Sequence, residues 1–192
     1  MRPVALLCLL ALAAGCASDP APKPAATPTS LAQLKPAKLN LVRVAFCDLV
    51  PTKAVTAAVG PSSTPQEWGN GERPPGAAAG DVGHEVGCAW TVGPRLARAW
   101  VFARPVSAAF GRQVVAQAQH RKACTATAAD DFGSPGLRQV CLGSGTTRAR
   151  RAGLFGDTWL TCEVAGPEKP SAVSRRADAW CVAVATTLNK TG

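Results

Sequence analysis

Histidine is scarce in this sequence, which removes the commonest general base of hydrolytic sites: only His84 and His120 occur in 192 residues. No Cys-x-x-Cys and no His-x-x-x-His is present, and the cysteines from Cys47 onward stand at least 17 residues apart. That spacing suits disulfides rather than a zinc site, and neither a metal nor a cofactor is expected. Gly143-Ser144-Gly145 is not a Gly-x-Ser-x-Gly elbow and reads as a hairpin turn. Asp130 and Asp131 are adjacent carboxylates without further oxygen ligands, a solvated loop more than a calcium site. Tyrosine is absent and there are five Phe and five Trp, so the core is poor in aromatic surface. No apolar run reaches the roughly 20 residues a membrane-spanning helix needs.

What is present begins with an address. Arg2 precedes a wholly apolar run from Val4 to Ala14, followed by small residues, the pattern of an export signal. Cys8 lies inside that run and leaves with it. Cys16 follows Ala13-Ala14-Gly15, which resembles a bacterial lipobox, whose cysteine receives a diacylglycerol. The usual leucine three before the cysteine is Ala13 here, with Leu12 one further back. Ordinary cleavage after Ala11-Leu12-Ala13 is the alternative. Parity favours lipidation: Cys47, Cys88, Cys124, Cys141, Cys162 and Cys181 remain, an even set for three disulfides in an oxidising space.

The predicted organisation is therefore a signal peptide over 1–15, a lipidated Cys16 with a tether over 16–40, and one domain over 41–192. The tether is rich in Pro and Ala, too poor in large apolar groups to offset its ordering entropy, and biased toward extended polyproline geometry.

Within the domain, VPTKAVTAAVGP (50–61) reads as a short helix with Pro51 at its first position and Gly60-Pro61 ending it. A loop rich in Pro and Gly follows, with no regular structure expected. Over 82–92, Val82, His84, Val86, Cys88, Trp90 and Val92 alternate with small or polar residues, a half-buried strand that places His84 among core positions. RLARAWVFAR returns as its partner, with Leu96, Trp100 and Phe102 on one side. SAAFGRQVVAQAQHRKAC is a helix with Phe110, Val114 and Ala118 as its stripe, and His120 near its end complements the helix dipole. LRQVCLG, TTRARRAGL and TWLTCEVAG form a meander, and a last helix carries Val173, Ala177, Trp180, Val184 and Leu188 on one face. The class is α+β: an antiparallel sheet with helices packed on one face and three disulfides. Neighbouring elements favour Cys47 with Cys88, Cys124 with Cys141 and Cys162 with Cys181, among the fifteen pairings six cysteines allow.

FCDLVPTKAVTAAVG (46–60) together with GCAWTV (87–92) resembles an uncharacterised family of actinobacterial lipoproteins, in which Cys-x-Leu-Leu opens a short helix and Cys-x-Trp lies on a strand. Cys47, Leu49, Cys88 and Trp90 carry the match, and GLFGD (153–157) is similar to a later glycine-rich turn. Fourteen Arg against seven Lys suits a high-GC genome. The chain departs from the pattern at Val50, where members often have an N-capping Thr, and in its cysteines at 124, 141, 162 and 181. The resemblance implies envelope anchoring and no particular activity.

Charge is the remaining signal. The formal net charge is +9, and the basic groups cluster at Arg95, Arg98 and Arg104, at Arg148, Arg150 and Arg151, and at Arg175 and Arg176. On a strand Arg148 and Arg150 point the same way, a small cationic face for anionic lipid, an acidic protein or an anionic wall polymer. Trp68, in QEWGNGERPPG, is a second candidate contact, unless it folds back over the core. Nucleic acid is not an expected partner of an exported chain without an aromatic-basic module. The function expected is a non-catalytic, lipid-anchored binding domain on the extracytoplasmic face of the cell membrane. The alternatives are an exported hydrolase using carboxylates or His84, and a secreted protease or lysozyme inhibitor.

Overall fold

Short glycine turns and one long helical detour set the topology. The computed structural model describes residues 30–190. In chain order its elements are α1 (Thr52–Val59), β1 (Gln66–Trp68), β2 (Glu85–Val92), β3 (Arg95–Phe102), α2 (Ala108–Gln119) and β4 (Cys124–Ala128). They continue with β5 (Gly136–Gly143), β6 (Thr146–Phe155), β7 (Thr158–Gly166) and α3 (Pro170–Leu188). Gly93, Gly145 and Gly156 adopt positive φ in the hairpin turns β2–β3, β5–β6 and β6–β7, where L-residues with a Cβ are strained. After β3 the chain crosses by α2 to the far edge and meanders back until β7 pairs with β3. The result is a seven-stranded antiparallel sheet in the order β1-β2-β3-β7-β6-β5-β4. The α+β class is as expected.

Side-chain size decides what each face carries. Along β3, Ala97, Ala99 and Val101 point to one side and Leu96, Arg98, Trp100 and Phe102 to the other, as alternation requires. The alanines leave room for α3, whose Trp180 donates to the Arg98 carbonyl at 3.1 Å and meets Trp90 edge-on at 5.2 Å. Val173, Ala177, Trp180, Val184 and Leu188 are all buried, the stripe read from the sequence. α1 joins α3 on this side, where Val55, Ala58 and Val59 enter the same core.

The expectation of helices on one face is corrected. α2 packs on the opposite face, where Val115 and Ala118 meet Leu137, Ala152, Leu154 and Trp159 in a separate cluster. Its stripe is also rotated: Phe110 is exposed, and Gly111, Val115 and Ala118 face the sheet. Gly111 explains the rotation, because a Cβ there would stand 3.0 Å from the Trp159 ring and 2.9 Å from Pro135. The helix approaches the sheet along its smallest residue.

Two disulfides are shown rather than three. Cys47 bonds Cys88, and Cys124 bonds Cys141 directly across β4 and β5. Each contributes roughly 3–4 kcal/mol by restricting the unfolded chain. Cys162 on β7 and Cys181 on α3 are buried free thiols beside each other, because strand and helix stack there without bridging.

Three further boundaries differ from expectation. The loop after α1 does contain regular structure, since β1 finds free backbone on the edge of β2. β2 starts at Glu85 rather than Val82, because Gly83 is held by paired backbone bonds to Glu72 and Gly71, which leaves His84 exposed instead of among core positions. Leu31 and Leu34 are buried in the α1–α3 core, so packed chain begins within the segment read as tether. The signal peptide, Cys16 and the tether up to residue 29 lie outside the described residues.

Candidate functional site: arginines around a buried glutamate

The face served by α2 is only partly covered, because that helix lies over β4, β5 and β6. The strand register sets the side chains of this face in rows that run out from beneath the helix. Ala89, Arg98, Glu163, Arg150 and Gln139 stand opposite one another on β2, β3, β7, β6 and β5. Two residues along the strands the row is Gly87, Trp100, Thr161, Ala152 and Leu137. On the other side of the charged row, Leu96, Ala165, Arg148 and Cys141 follow. Gln139 fixes the limit of the helix, its amide donating to the Ala118 carbonyl at the end of α2 at 3.1 Å.

Glu163 is the centre, with 0% exposure. Its Oε1 accepts from Arg98 Nε at 2.9 Å and lies 3.2 Å from Arg148 Nη1. Its Oε2 accepts from Arg150 Nε at 3.0 Å and Nη2 at 2.6 Å. Burial alone would push this carboxyl up, yet the charges of Arg150, Arg98 and Arg148 together hold it below the ordinary carboxylate value. Burial in turn lowers Arg150, and Glu163 opposes that shift. Trp100 lies between two of the cations, with Arg98 at 5.1 Å and Arg150 at 5.4 Å from its ring centroid.

Three guanidiniums exceed their one carboxylate in charge, and Glu85 is close enough to Arg98 and Arg150 to offset part of the excess. A guanidinium has five N–H donors, and Glu163 takes one or two from each. The remainder are free for a second anion, most accessibly at Arg148, whose side chain is 43% exposed. Arg121 adds charge near Arg150.

Arg148 and Arg150 thus share a face, as strand alternation required. Arg151 does not join them. It points to the α3 side, where its buried guanidinium donates to Asp178 Oδ1 at 2.6 Å. Arg95 and Arg176 are engaged by Glu168, whose pKa is lowered to about 2, chiefly by the Arg176 hydrogen bond. Trp68 is no contact anchor: it is 4% exposed and donates to Glu85 Oε1 at 3.2 Å. Its ring fills the space over Gly87, where a Cβ would sit 2.2 Å from Trp68 Cζ2. Sequence reasoning missed Trp100 and Glu163 as site residues. Trp100 alternates with Arg98 on one strand, a usable signal, whereas the position of Glu163 depends on a long-range register.

The same face ends in a cleft of about 780 Å³ lined by Val82, His84, Glu85, Phe102, Arg104 and Phe110 among others. Burial raises the Glu85 pKa, partly offset by the Trp68 bond and by the charges of Arg98 and Arg150. Ser107 Oγ accepts from Phe110 N as the cap of α2. No family model matches the chain, and no curated protein matches it significantly.

Removing the charge of Glu163 leaves its cations unpaired in a half-buried site. Glu163→Gln is expected to cost about 3 kcal/mol at pH 7 in urea unfolding. Because the folded pKa lies below 4.5, the ionised carboxylate's stabilisation is present above that value and lost as pH falls through the folded pKa. The wild-type advantage should therefore be constant from about pH 6 to 8 and shrink on acidification. An advantage unchanged at pH 3 contradicts the charge assignment.

Proposed function

We propose that this protein is a lipid-anchored domain of the cell envelope that binds an anionic ligand without catalysis. Arg98, Arg148 and Arg150 with Trp100 make the contact surface. One observation carries the reading: three guanidiniums converge on a single buried carboxylate beside the end of α2, and the Arg148 side chain stays 43% exposed. Such a cluster is a preorganised anion receptor, because the protein already holds its donors in place and the ligand need not order them. The export signal, a diacylglycerol on Cys16, membership of the actinobacterial lipoprotein family and an extracytoplasmic location belong to the same reading, supported by the sequence features described above.

The hydrolase alternative draws on His84, Glu85 and Ser107 sharing the cleft. It is weaker, because Glu85 is bonded to Trp68 and Ser107 Oγ to a backbone amide, and no hydrogen bond joins a base to a nucleophile among the described residues. The inhibitor alternative has no comparable feature.

The anion reading is tested with a short inorganic polyphosphate. Calorimetric binding should weaken as salt rises, and Arg148→Ala should weaken it roughly fivefold, about 1 kcal/mol. Affinity indifferent to both salt and Arg148→Ala contradicts the reading.

Oxidation in the same compartment closes the third cysteine pair, Cys162 with Cys181, on this proposal. The thiols are adjacent, and burial holds Cys162 well above its ordinary pKa, so closure belongs to folding rather than to exchange in the finished domain. Intact mass after alkylation in denaturant should show no modified cysteine before reduction among the six from Cys47 to Cys181. Two alkylated positions at 162 and 181 would leave the domain with two disulfides.

A further inference from the structure

The arginine face and the cleft are usually separate kinds of site, but here they are consecutive rows of one surface. From the charged row, Trp100 follows Arg98 and Phe102 follows Trp100, each two residues along β3. Arg98 and Phe102 are therefore about 13 Å apart at roughly 3.3 Å per residue. Phe102 stacks on Trp159 at 6.4 Å and tilts against Phe110 at 6.3 Å. Phe110 and Val82 then line the cleft while remaining 47% and 56% exposed. Two large apolar side chains held open to solvent at one cleft are unsatisfied surface. Its volume of about 780 Å³ falls within the roughly 300–1,000 Å³ of small-molecule sites.

We propose that the ligand is an anionic amphiphile with one acyl chain. Its head group sits on Arg98, Arg148 and Arg150, and its chain runs over Trp100 and Phe102 into the cleft beside Val82 and Phe110. This rests on the anion-binding reading and narrows it. The charge pattern selects this occupant: a polyanionic wall polymer needs cations repeated along its length. Beyond the charged row the large side chains are Trp100 and Phe102, flanked by Thr161 and Glu85 in the same rows. The cleft's ionisable groups are Asp81, His84, Glu85 and Arg104, and its apolar lining of Val82, Phe102, Pro105, Val106 and Phe110 is what the chain would lie against. A neutral hydrocarbon has no use for the surplus charge at the other end.

The test uses the full chain carrying Cys16→Ser, so that no anchor lipid competes, and a series of alkyl phosphates from butyl to decyl below their micelle concentrations. Affinity should tighten roughly two- to fourfold per added methylene. Phe110→Ser combined with Val82→Ser, both at exposed positions, should flatten that dependence and leave polyphosphate affinity within twofold of wild type. A flat wild-type series with polyphosphate binding intact overturns the acyl-chain inference and leaves the anion reading standing. A chain-length dependence that survives the double substitution overturns the cleft as its seat. Binding of neither probe overturns the anion reading along with this one.

Discussion

A carboxylate buried at the middle of a sheet constrains everything around it. Glu163 cannot lose its water without partners, and the partners must be cationic, close and fixed. The register supplies them: β3 places Arg98 on one side and β6 places Arg150 on the other, directly across from Glu163. Arg148 completes the set from the next position on the same face of β6. Their combined charge exceeds that of the carboxylate, so the cluster must keep contact with solvent or with another anion. A helix laid over it would bury uncompensated charge. α2 accordingly covers β4 to β6 and ends at the Gln139 bond, beside the cluster and not above it.

The opposite face obeys a different rule. There α1 and α3 seal a dry core, and small strand residues answer large helical ones: Ala97 and Ala99 lie beneath the side that receives Trp180. β3 serves both purposes at once, with alanines toward α3 and Arg98 and Trp100 toward the open face. A one-residue slip of β3 would exchange the two sets and destroy both. The Cys47–Cys88 bond secures the turn leading into α1 to β2, and β2 holds β3 in register along its full length.

Much of this was legible in the sequence, for local reasons. The α3 stripe, the hairpin at Gly145 and the shared direction of Arg148 and Arg150 follow from periodicity and turn chemistry, which act over a few residues. What escaped depends on distant chain. Whether Trp68 is a contact or folds back over the core is open in the sequence, because its seat is created by Gly87 on another strand. The rotation of α2 depends on Trp159 and Pro135, neither of which announces itself beside Gly111. Arg151 follows the alternation rule correctly, but its burial needs Asp178 on α3. Glu163 is one acidic residue in an otherwise apolar strand, and its partners come only from the pairing of β7 with both β3 and β6.

The central claim is that the anion sits on the Glu163 cluster. Arginine side-chain Nε–Hε resonances report this directly, because hydrogen-bonded guanidiniums exchange slowly and shift when a second acceptor arrives. In a proton–nitrogen correlation spectrum titrated with octyl phosphate, the account predicts that Arg98, Arg148 and Arg150 shift together at one saturating concentration, while Arg112 and Arg175 stay still. Shifts confined to Arg112, Arg175 or other arginines remote from Glu163, with these three unmoved, would contradict it.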